Sequence, residues 1–273
     1  MATDLLLLLA SGGLFSGILA GFLGIGGGTV LVPILVAMGY SPVQAVATSG
    51  FAIAITSISG SIQNWRMGYL DFKRVLALGL PAVITAQAGA WLASSIPAWL
   101  LLFTFALLLW LNIYLVDLRR RLNDSDPDAS LDDLGINSDI GTSDQTIWHP
   151  TLARLLTGGA AGLLAGLFGV GGGVIMVPLQ VLLLAEPLKL AIQTSLGVII
   201  ITAISATFGH AIAGNVLFGQ GLVLGLGGLV GAQVSTRFLP RLSDQVISLT
   251  FRGFLGILSI YILWQAWTKL MVK

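Results

Sequence analysis

Two glycine runs offer the chemistry most easily named in this sequence. Gly24-Ile-Gly26-Gly27-Gly28 and Gly169-Val-Gly171-Gly172-Gly173 each stand ahead of a short apolar stretch. Successive glycines let the backbone leave the helical conformation and free its amides. A helix that starts directly after such a break aims its first N–H groups, and the positive end of its dipole, into the break, which suits an anion. Thr29, next after the first run, adds a hydroxyl at that place. No Lys-Ser/Thr follows either run, as a nucleotide phosphate loop would require, and no strand leads into one, as a dinucleotide fingerprint would. Close helix packing through small residues is the competing reading. Two matched triple-glycine runs ahead of short helices favour a binding site.

Other polar residues lie inside apolar stretches. Thr48-Ser49 and Thr194-Ser195 are hydroxyl pairs that could donate to an oxyanion, cap a helix, or bond their own helix carbonyls. Gln87 and Gln233 are primary amides within apolar runs, where a missing partner is costly. They suit substrate contact or helix-to-helix bonding equally. Asn64 and His210 occupy matching places, and the Asn argues for a hydrogen-bonding role over proton transfer at His210. Arg252 lies within the last apolar run, where it could meet an anion or snorkel to the interface. These residues, with Gly26, Gly27, Gly28, Thr29, Gly171, Gly172 and Gly173, form the candidate substrate-binding set; no metal or cofactor is expected.

The elements that must position them belong to a membrane. Of the 273 residues, 56% are apolar and only 9% charged, too few charges to solvate a globule of this size. Net charge is +1 and cysteine is absent, which argues against nucleic acid as a partner and excludes disulfides and thiolate chemistry. Apolar runs at 5–23, 43–62, 75–93, 97–116, 190–213, 216–236 and 245–268 are close to the roughly 20 residues a crossing helix needs. The runs at 29–38, 155–168 and 174–185 are shorter and predict half-helices or re-entrant segments.

The chain repeats itself. Gly21–Pro33 recurs as Gly166–Pro178 at a spacing of 145, and the register continues at 146, where Thr48-Ser49 meets Thr194-Ser195, Asn64 meets His210 and Gln87 meets Gln233. Charge suggests how the halves sit. Arg66, Lys73 and Arg74 mark one loop whose counterpart at 209–220 has no Lys or Arg, while Arg237 and Arg241 mark a loop whose counterpart, Ser94-Ser95, is uncharged. Short Lys/Arg-rich loops stay cytoplasmic, so equivalent loops fall on opposite sides. The expected fold is an all-α polytopic membrane protein of two inverted-topology repeats, each a Gly-broken hairpin of short helices plus three full spans.

The halves are residues 1–117 and 151–273, joined by an acidic linker at 118–150. Arg119, Arg120, Arg121 and Arg154 at its edges place the linker inside and both termini in the periplasm; Lys269 and Lys273 run against the latter. Asp124-x-Asp126-x-Asp128 has a calcium-loop spacing, but Pro127, Ala129 and Gly135 stand where such a loop needs other residues. A solvated connector fits better. The acidic residues outside the linker's run are Asp4, Asp71, Asp117, Glu186 and Asp244, all at span ends, which disfavours a cation carrier.

Gly-Phe-Leu-Gly-Ile-Gly-Gly-Gly followed by Val-Pro, repeated in the second half with Thr-Ser downstream, resembles the TauE/SafE family of sulfite exporters. The resemblance implies transport of sulfite, sulfoacetate or related anions across a bacterial inner membrane. The resulting expectation is a secondary transporter of a small anion, with the bilayer and the substrate as partners; the sequence is also compatible with a homo-oligomer. A gated anion channel shares the same residues. An intramembrane hydrolase using Ser49 or Ser195 with His210 is the third reading, weakened because the first half has no histidine.

Overall fold

A computed structural model describes residues 2–124 and 150–271. Residues 125–149, with Asp126 and Asp128 of the aspartate triplet, and the last two residues lie outside the described residues. Everything described is helix or short connection. In chain order the helices are α1 (Ala2–Leu23), α2 (Gly28–Ala37), α3 (Pro42–Arg66), α4 (Phe72–Ser95), α5 (Ala98–Asp124), α6 (Pro150–Phe168), α7 (Gly173–Leu183), α8 (Leu188–Ile212), α9 (Phe218–Phe238) and α10 (Asp244–Met271). Six of them, α1, α3, α4, α6, α8 and α9, are long and apolar enough to cross a membrane. Helices α5 and α10 are 27 and 28 residues long, with described apolar stretches at Ala98–Leu111 and Gly253–Thr268.

Two expectations need correction. The hairpins broken by glycine do not pair two short helices: α1 has 22 residues and α6 has 19, and only α2 and α7, with 10 and 11, are short. The run at 155–168 reads as short because Arg154 interrupts the apolar pattern. Its backbone nonetheless stays helical from Pro150, a residue whose fixed φ suits a first helical position. Likewise α5 continues to Asp124, since Leu118 through Leu122 are leucines and arginines, both strong helix formers.

Local signals set the helix starts that matter later. Ser41 and Gln44 form a reciprocal capping box, each side chain accepting from the other's backbone N–H at 3.3 Å, with Pro42 opening α3. Asp71 caps α4 by accepting from Lys73 and Arg74 N–H at 2.9 and 3.3 Å.

Helices α3 and α8 form the centre: 78% and 72% of their most apolar stretches are buried, against 39–50% in the other four spans. Around them α1 packs along α9, α4 along α6, and α5 along α10. The first two pairs approach closely through small residues. Gly13 and Gly17 of α1 lie against the backbone of Leu224 and Gly228, and Gly158 and Gly162 of α6 against that of Leu78 and Ala82, so a methyl at any of the four would strike backbone. Large apolar side chains of the outer helices, Trp91, Trp110, Ile84 and Ile257 among them, face outward. A lipid environment stabilises such a surface, and water would not.

Candidate functional site

The two glycine breaks meet. Gly24, Gly26 and Gly27 adopt φ of 67°, 74° and 83°, and Gly169, Gly171 and Gly172 adopt 63°, 73° and 78°. Left-handed backbone of this kind is open to glycine at little cost. Gly27 and Gly172 are thus the N-caps of α2 and α7 without any side-chain cap. The first residue of α2, Gly28, lies against the carbonyl of Gly169 and the backbone of Val170. Gly173, first in α7, lies against the carbonyl of Gly24 and the backbone of Ile25. Each helix N-terminus therefore abuts the break of the other half. A methyl on Gly26 would stand 2.9 Å from Ile53 and 3.3 Å from Ile199; one on Gly171 would stand 2.8 Å from Ile199 and 3.0 Å from Ile53. These two isoleucines, both fully buried, close over the junction.

Hydroxyls lock the junction from both sides. Ser49 Oγ donates to Gly169 O at 2.7 Å, and Ser195 Oγ donates to Gly24 O at 2.8 Å; each also lies near a carbonyl one turn back in its own helix. Both serines thus bond the opposite break. Thr202 Oγ1 adds a bond to Gly171 O at 2.9 Å, and Ser16 Oγ one to Gly27 O at 2.9 Å. Pro33 and Pro178, with no N–H to give, leave the carbonyls of Thr29 and Val174 without their helical donors just inside the two N-termini.

The remaining candidates separate into those with partners and those without. Thr48 Oγ1 accepts from Leu217 N–H at 3.1 Å, at the start of α9. Gln87 Nε2 donates to Ser205 O and Oγ at 2.6 and 3.0 Å, while Gln233 Oε1 accepts from Ser59 Oγ at 3.0 Å and its Nε2 donates to Gln63 Oε1 at 2.8 Å. The glutamines therefore bond neighbouring helices, α4 to α8 and α9 to α3. His210 Nε2 lies 2.8 Å from Gly166 O, and Asn64 Nδ2 donates to Gln193 O at 3.4 Å, so the matched pair has unmatched partners. The serine hydroxyls bond glycine carbonyls, not His210, so no hydrolase pair is assembled. The side chain of Arg252, on α10, lies outside the described residues.

The buried polar atoms without a hydrogen-bond partner include Thr29 Oγ1, Thr194 Oγ1, Asn64 Oδ1, His210 Nδ1 and both side-chain polar atoms of Gln180. Such groups ordinarily find protein, water or ligand. Thr29 sits in the first turn of α2, beside the junction. Sequence reasoning missed Ser59, Ser205 and Gln180. The first two share the 146-residue register with each other, and Gln180 interrupts an apolar helix as Gln87 does; both signals were there to find. Among the described residues no Asp or Glu is fully buried, and no cluster of His, Asp or Glu could hold a metal ion.

A stack of apolar helices with two broken ones meeting inside is the architecture of a multi-pass membrane transporter, and the comparisons agree. A family model described as Sulfite exporter TauE/SafE matches residues 9–262, and the chain belongs to that family. Its relatives include "Probable membrane transporter protein YunE" of Bacillus subtilis, 26% identical over 84% of this chain and 88% of the relative. A protein of Methanocaldococcus jannaschii with the same general description is 25% identical over 95% of this chain and 96% of its own. One from Xylella fastidiosa is 27% identical over 98% of both. No solved structure matches the chain. The protein is a membrane transporter, not an enzyme.

Proposed function

We propose that this protein is a secondary transporter of a small anion, sulfite or an organosulfonate, working by alternating access between two halves of inverted topology. The observation that carries the proposal is the head-to-head meeting of the α2 and α7 N-termini at the two glycine breaks. Both helices direct the positive ends of their dipoles to one place, and Thr29 brings an unpartnered hydroxyl to it. No Asp or Glu among the described residues is fully buried, and the most buried, Glu186, lies in the α7–α8 turn away from the junction, which favours an anion over a cation there. Sulfite and sulfonate oxygens are the chemistry that amides and hydroxyls would hold. Membership of a family described as sulfite exporters supports sulfite within that class.

The inversion draws support from reciprocal contacts. Ser49 with Gly169 has its counterpart in Ser195 with Gly24, and Gln87 with Ser205 in Gln233 with Ser59. A two-fold relation between halves produces such pairs. In the proposed arrangement the linker at 118–150 is cytoplasmic, both termini are periplasmic, and the junction lies near the middle of a bacterial inner membrane. Gly26–Gly28, Gly171–Gly173, Thr29 and Thr194 contact the anion. Ser49 and Ser195 hold the junction in the closed arrangement, and their hydroxyls become available when the halves part. Thr48, Gln87, Gln233, Asn64 and His210 bond helices to one another around the path.

Uptake of labelled sulfite, sulfoacetate and sulfate into proteoliposomes tests the proposal. Saturable uptake of one of them, reduced at least tenfold in Gly28→Ala and Gly173→Ala variants that still fold, is the expected result. Equal flux through wild type and both variants would remove the junction from the path.

A further inference from the structure

The turn between α7 and α8 holds a carboxylate that no candidate set above includes. Glu186 Oε1 lies 3.7 Å from Nη1 of Arg74, in the first turn of α4, and so ties the second half of the chain to the first. Arg74 also bonds its own cap, Nε to Asp71 Oδ2 at 3.2 Å. The Glu186 side chain is 14% exposed, and its Oε2 is buried with no hydrogen-bond partner. The turn is a constrained one. Ala185 adopts φ 51°, a conformation unfavourable for a residue with a Cβ, and Glu186 N–H donates to Gln180 O at 3.2 Å.

The internal repeat turns this pair into a comparison. At the 146-residue register Arg74 corresponds to Gln220 and Glu186 to Tyr40. Those two are also bonded, Gln220 Nε2 donating to Tyr40 OH at 3.4 Å. Arg74 and Gln220 are each the third residue of their helix, α4 and α9. The same two positions are therefore latched twice, once by an ion pair and once by a neutral hydrogen bond. Only the first contains a carboxylate, whose charge a proton can remove; the second joins two neutral groups.

We infer that Glu186 is the proton-binding group of the transport cycle: its carboxylate, held to Arg74, keeps the α4 end closed against the α7–α8 turn, and its protonation releases that end. The inference rests on the two-half rocking proposed above. In the step, a proton from water adds to the carboxylate, giving a neutral acid that no longer attracts the guanidinium; no bond to carbon changes and nothing is oxidised. Arg74, still paired with Asp71 at the cap of its own helix, then no longer ties α4 to the second half. The charged groups facing Glu186 are Arg74 and Asp71 at the start of α4 and Arg154 on α6. Lys189, on α8, extends to Pro240 O at 3.5 Å. Burial raises the Glu186 pKa above the ordinary carboxylate value; Arg74 and Arg154 oppose this, and Asp71 adds to it. With the pKa raised, the latch is closed at high pH and released as pH falls through that value.

Because the chain has no cysteine, paired labels can be introduced without background. Spin labels on Lys73→Cys and Ala185→Cys report this end, and labels on Ala37→Cys and Gly219→Cys report the other. Distances are measured by pulsed electron spin resonance in lipid nanodiscs with no substrate, from about pH 8 down to about pH 4, a range that takes in the ordinary carboxylate value and everything above it. The first distance should lengthen by roughly 5 Å on acidification, the scale of a one-turn helix shift. Glu186→Gln should give the long distance at every pH, and Arg74→Gln should do the same by removing the other partner. A wild-type distance unchanged across the range, or a pH response that survives Glu186→Gln, would overturn the inference. The second distance, at the uncharged latch, should show no response to Glu186→Gln beyond a compensating shortening; lengthening together with the first would also overturn it. No anion is present, so the two readings fail separately: a proton-driven opening without anion flux sinks the substrate proposal, and anion flux without the opening sinks only this one.

Discussion

Gly28 and Gly173 are glycine for want of room. Neither has positive φ, but a methyl at Gly28 would strike the Gly169 carbonyl and one at Gly173 the Gly24 carbonyl. Gly28→Ala or Gly173→Ala should cost about 1–3 kcal/mol, typical of overpacking a tight contact. Gly253→Ala on α10, where nothing lies within 4 Å, should not lower thermal stability in detergent and should raise it by up to about 1 kcal/mol, the helix-propensity difference. Ser49→Ala and Ser195→Ala remove a bond to a buried carbonyl, and each should lower stability by about 1 kcal/mol in the same assay. The glycine runs were legible in the sequence because their spacing alone announces a broken helix. Where the serine protons go was not legible. Each hydroxyl bonds a residue more than 100 positions away, a choice made only once the halves have packed.

At the scale of elements, two polar clamps hold the central helices to their flanks. Gln87 of α4 bonds Ser205 of α8, and Ser59 of α3 bonds Gln233 of α9, each serine also donating to a carbonyl of the flanking helix at 2.8 Å. A double-mutant cycle on Gln87→Leu and Ser205→Ala should return a coupling energy of about 0.6–1.7 kcal/mol, the range for hydrogen bonds between membrane helices. Additive losses would show that the clamp contributes nothing. Hydropathy and length marked most spans correctly, since a crossing helix needs little besides an apolar run. They misjudged α6, because one arginine near a helix end reads as an end, while the backbone continues so long as the guanidinium can reach the surface. Arg154 is exposed accordingly.

For the molecule as a whole, the account requires equivalent loops to face opposite sides of the membrane. Accessibility tags inserted after Arg66 and after Gly214 should report the cytoplasm and the periplasm respectively; one side for both would defeat the inversion. The repeat was legible from sequence because a 13-residue match kept its glycines and proline. The asymmetry between halves, an ion pair at one end and a neutral bond at the other, was not. It depends on which loop residues meet across the two halves, and hydropathy carries no information on that. The central claim is coupled transport of a small anion, and labelled flux into proteoliposomes tests it most directly. With a pH gradient imposed, the account predicts that sulfite, sulfoacetate or sulfate accumulates above its external concentration and that the rate saturates. Flux that only equilibrates and rises linearly with concentration, or no flux of any of the three, would contradict it.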